Sequence, residues 1–144
     1  MKDKHKDEQK LTFAQVQSDL ILARHALDDS QKSGAAMAKI MRGQAGYHLQ
    51  QATEKLIKIQ IYQSGKQIDN YRLYKHSIPE LSSYAKSLGI DLIVPAYIRK
   101  NDEKITGWEA EGRYDVHMVV RTDTLEKTYS VVDKWLEEMK GKHK

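Results

Sequence analysis

The chain reads as an all-α protein, an up-and-down bundle of four to five antiparallel helices. Two observations predict it. Three separate stretches repeat apolar residues at alternating steps of four and three: Val16, Leu20, Ala23 and Leu27; Ala45, Leu49, Ala52, Leu56 and Ile59; Leu125, Tyr129, Val132, Leu136 and Met139. Each series marks the buried stripe of an amphipathic helix. In addition, nothing alternates convincingly at period two, and the breaks between stripes are short, as antiparallel neighbours in a bundle require.

Taken in order, the elements have recognisable ends. Thr12 and Gln15 form a capping-box pattern, and Leu11 with Val16 can close a hydrophobic staple around it. The first helix therefore starts there, and Asp28, Asp29 and Ser30 followed by Ser33-Gly34 read as its end and connection. The second helix is expected over residues 35–62 and is the longest. Gly43 and Gly46 lie inside it, each costing about 1 kcal/mol relative to alanine, so close packing or a kink is expected there. The face opposite its apolar stripe carries Gln50, Gln51, Glu54 and Lys58, with Glu54 and Lys58 spaced for a helical ion pair. Ser64-Gly65 stops this helix, and residues 66–75 form a polar, tyrosine-bearing connection.

Ser77 and Glu80 make a second capping box, with Pro79 in the first turn where its missing N–H matters little. Ile78, Leu81, Ala85 and Leu88 complete a short helix, and Gly89 suits its C′ position. Leu92, Ile93 and Val94 form a brief apolar run with no partner strand, read as an extended linker. Residues 95–111 read as helical, with Tyr97, Ile98, Ile105 and Trp108 toward the core and Gly107 weakening the segment. Residues 112–115 read as a break. The last helix begins near Thr122-Asp123, where Asp123 and Glu126 favour the positive end of the helix dipole.

Composition bounds the function. The chain of 144 residues is expected to hold one domain over residues 11–139, between a charged tail at 1–10 and a basic tail at 140–144. The formal charge of +4 resides in those tails, and residues 11–139 are neutral overall; a basic, phosphate-binding body surface is therefore not demanded by composition. The absence of cysteine excludes disulfides, thiol catalysis and cysteine-based zinc sites. No apolar run approaches the roughly 20 residues of a membrane span, and none of signal-peptide type follows the N-terminal charges. A cytoplasmic protein without membrane association is expected. The histidines are scattered without ligand spacing, so no metal site is expected. A phosphate-binding glycine loop and a dinucleotide fingerprint are both missing, and no cofactor is implied.

Three histidines are candidates for chemistry. His48 falls between two stripe residues of the long helix, and His76 immediately precedes the cap Ser77; each is readable either as a ligand-binding group or as a hydrogen-bonded structural histidine. His117 differs in company, because Arg113, Tyr114 and Asp115 lie just upstream. An arginine fork holds phosphate, and a histidine moves protons near neutral pH. Together these two groups suffice for metal-independent cleavage of RNA, in which the 2′-hydroxyl is the internal nucleophile. Tyr114 can stack on a base, and Asp115 can orient a ring or an arginine. The plainer alternative is an Arg113–Asp115 ion pair that fixes the segment leading into the last helix.

The order of residues over 47–58 (YHLQQATEKLIK), 75–81 (KHSIPEL) and 112–115 (GRYD) resembles the HEPN family of small helical domains. The resemblance spans most of residues 11–139, and its motifs are characteristic together and weak singly. It implies an up-and-down helical bundle, often a homodimer. It also implies one of two roles. Some members are accessory subunits of separately encoded minimal nucleotidyltransferases and are thought to bind a nucleotide or substrate. Others are metal-independent ribonucleases, including toxins paired with antitoxins, in which arginine–histidine pairs meet across the dimer. Three residues separate Arg113 from His117, one short of the ribonuclease pattern, whereas Arg42 and His48 have five between them but lie in the long helix. A step of four still places Arg113 and His117 on one helical face. The resemblance thus leads to an expectation of nucleotide or RNA-phosphate binding near Arg113 and Tyr114. Ribonuclease activity with Arg113 and His117 as catalytic residues is the alternative, and a ligand-free self-association module is a third.

Overall fold

The computed structural model describes residues 11–73, 77–108 and 120–141. These residues form seven helices and no strand: α1 Phe13–Lys32, α2 Ala35–Gln63, α3 Asn70–Leu73, α4 Ile78–Ser87, α5 Ala96–Lys100, α6 Asp102–Gly107 and α7 Thr122–Gly141. No helix among them is long and apolar enough to cross a membrane.

The two capped starts form as expected. The Thr12 backbone N–H donates to Gln15 Oε1 at 2.7 Å, and Ser77 Oγ accepts from the Glu80 N–H at 3.3 Å. Helix α4 ends in a Schellman arrangement: Ile90 N–H donates to Ala85 O and Gly89 N–H to Lys86 O. Gly89 takes φ +74°, a value that favours glycine.

Helix α2 is the hub, packed against α1 and α7 as well as α4 and α6. Ser33 and Gly34 alone join α1 to α2, and Asp19 of α1 lies beside both His48 and Lys55 of α2, so these two helices run antiparallel. The expected stripe from Ala45 to Ile59 is buried. On the other side of α2, Gln50, Thr53 and Glu54 are buried too. Their polar atoms are satisfied locally, as burial demands. Lys58 Nζ pairs with Glu54 Oε1 at 2.5 Å. Gln50 Nε2 donates to Glu54 Oε2 at 2.9 Å, and Thr53 Oγ1 to Leu49 O at 2.8 Å. The glycine expectation resolves as close packing. Trp108 lies flat enough on Gly46 that a Cβ there would sit 3.2 Å from Trp108 Cγ.

The helix count exceeds the four or five expected because the connecting segments hold short helices. Residues 66–75 include the single turn α3. The segment read as one helix from residue 95 divides at Asn101, whose N–H and side-chain amide both donate to Tyr97 O while its own carbonyl receives Ile105 N–H. One residue therefore closes α5 and opens α6. The linker before α5 holds neither helix nor strand, and Gln60 of α2 pairs with its backbone where a neighbouring strand would. Its Nε2 donates to Ile93 O at 3.0 Å, and its Oε1 receives Ile93 N–H at 2.8 Å.

Helix α7 buries Leu125, Val132, Leu136 and Met139 of the expected stripe, together with Trp135. It is tied to α1 by a fork: Arg24 donates to both carboxylate oxygens of Glu126, at 2.9 and 2.6 Å, and also to Asp28. The guanidinium also lies 5.1 Å from the centre of the Tyr129 ring.

Candidate functional site

The seam between α1 and α2 holds a polar cluster inside an otherwise apolar contact. Asp19 occupies the buried stripe of α1, three residues after Val16, and is 6% exposed. From α2, His48 and Lys55 reach it, two turns apart on one edge of that helix. His48 Nδ1 lies 3.1 Å from Asp19 Oδ1, and Lys55 Nζ lies 2.5 Å from Asp19 Oδ2.

An ionised carboxylate only accepts hydrogen bonds, so the contact places a proton on His48 Nδ1 and leaves Nε2 as the nitrogen not held by Asp19. The ring is held from the side as well, edge-on to Tyr47 with centroids 5.0 Å apart and planes at 71°. About one-fifth of the His48 side chain and one-quarter of Lys55 remain exposed, against 9% for Asp19. The carboxylate is therefore the buried orienting group, and the imidazole and ammonium are the groups a ligand can reach. An oriented imidazole beside an ammonium suits an anionic ligand or a proton transfer. Among the described residues, no three His, Asp or Glu side chains converge as metal ligands.

At positions 46 and 42, two and six residues before His48, the same helix fixes two other chain segments. Trp108, at the end of α6, lies on Gly46. Arg42 Nε donates to the carbonyl of Val120 at 3.1 Å, immediately before α7. Residues 108 and 120, the two flanks of the 109–119 segment, thus both rest on α2 within positions 42–46.

Of the residues singled out in the sequence, His48 is placed in this seam. Arg113, Tyr114, Asp115, His117 and His76 lie outside the described residues. Sequence reasoning missed Asp19 and Lys55. The signal for Asp19 was present: a carboxylate on the apolar stripe formed by Val16, Leu20 and Ala23 is costly to bury unless it has partners. Lys55 gave none, because its spacing also fits a solvated helix edge.

Comparison with protein-family models, with curated proteins and with solved structures gives no match to this chain.

Proposed function

We propose that this chain is a HEPN-like domain that binds a nucleotide or an RNA phosphate, with Arg113 and Tyr114 as phosphate- and base-contacting groups and His48 beside them. On this reading the four longer helices, α1, α2, α4 and α7, form the antiparallel up-and-down bundle, and α3, α5 and α6 are embellished connections. The domain acts as a homodimer and serves a separately encoded nucleotidyltransferase.

The observation that supports the reading most is the anchoring of residues 108 and 120 on α2 next to His48. The two flanks of the segment that carries Arg113, Trp108 and Val120, both contact the helix that carries the YHLQQATEKLIK motif. The orientation of His48 by Asp19 adds a group able to donate or accept a proton at such a ligand.

A second reading, a metal-independent ribonuclease using Arg113 and His117, draws on the same arrangement. Incubation with single-stranded and structured RNA in excess EDTA separates the two. Under the binding reading, RNA is retained by the folded protein and stays intact, and Arg113→Ala releases it without loss of helicity. Cleavage that disappears in both Arg113→Ala and His117→Ala would replace the binding reading with the ribonuclease one. Neither retention nor cleavage would leave a self-association module.

A further inference from the structure

We draw no further inference here: the strongest candidate, the surface patch on the α1–α2 hairpin where Leu22, Met37 and Ile40 are exposed, carries nothing because nothing in the structure shows what covers it.

Discussion

Replacing Gly46 by alanine tests the packing that brings residue 108 to α2. A Cβ at position 46 would stand 3.2 Å from Trp108 Cγ and 3.3 Å from its Cβ and Cδ2, inside ordinary contact distance. Two effects oppose each other. Removing a glycine from a helix interior stabilises by about 1 kcal/mol. Against that, Trp108 is 2% exposed, and the near atoms belong to the root of its side chain, so the indole cannot swing clear. Forcing a methyl into a packed core costs about 1–3 kcal/mol. Taking about 2 for the overlap, Gly46→Ala destabilises by about 1 kcal/mol, and Gly46→Val, with two more methyl groups and poorer helix propensity, by about 3 or more. Gly34→Ala is the uncrowded comparison: its surroundings are open and its φ is −63°, so only the N-cap preference for glycine over alanine is lost, about 0.5–1 kcal/mol, with no displacement of an indole. Urea unfolding followed by circular dichroism measures all three, with Trp fluorescence reporting the displaced indole. A Gly46→Ala protein that is more stable by about 1 kcal/mol, the value for helix propensity alone, would show that Trp108 gives way freely and refute the close contact.

Three further perturbations follow from the same structure. Asp19→Ala leaves His48 and Lys55 facing a largely buried gap without their carboxylate and is expected to cost about 2 kcal/mol in urea unfolding; no loss would mean that the cluster is not formed in solution. The Arg24 fork holds the Glu126 carboxyl below the usual range, so its stabilisation is present above the unfolded value of about 4.3 and is lost as pH falls through the lowered folded value. Both side chains are about a third exposed, which limits the effect to about 0.5–1 kcal/mol; Glu126→Gln should be less stable than the parent at pH 7 and equal to it at pH 2, and a gap of the same size at both values would contradict the assignment. Gly89→Ala, at φ +74°, should destabilise by about 1 kcal/mol in thermal and urea melts, and a neutral result would mean that α4 does not end in its left-handed cap.

Much of the helical framework was legible because its signals are local. Thr12 with Gln15, Ser77 with Glu80, and Gly89 each mark an end by capping chemistry, and the three apolar stripes mark the long helices. What the sequence did not reveal depends on neighbours from distant positions. The polar residues Gln50 and Glu54 look like a solvated face by periodicity, yet they are buried, which no pattern within α2 predicts. Asn101 splits α5 from α6 by a side-chain bond to Tyr97 O, a choice that a window average over residues 95–111 cannot register. At the site, His48 was visible as a histidine on a helix edge, but its meaning depends on Asp19, 29 residues earlier. Arg42 illustrates the same limit: its bond to Val120 spans 78 residues and leaves no trace in local spacing.

The most direct measurement is a double-mutant cycle between His48 and Arg113 in binding of a fluorescein-labelled single-stranded RNA, read by anisotropy in excess EDTA. If the anchoring of residues 108 and 120 brings the Arg113 motif to His48, the parent binds, each alanine variant binds more weakly, and the double variant departs from additivity by more than about 0.5 kcal/mol. Strictly additive losses would place the two residues at separate sites, and no binding by the folded parent protein would contradict the nucleotide or RNA reading itself.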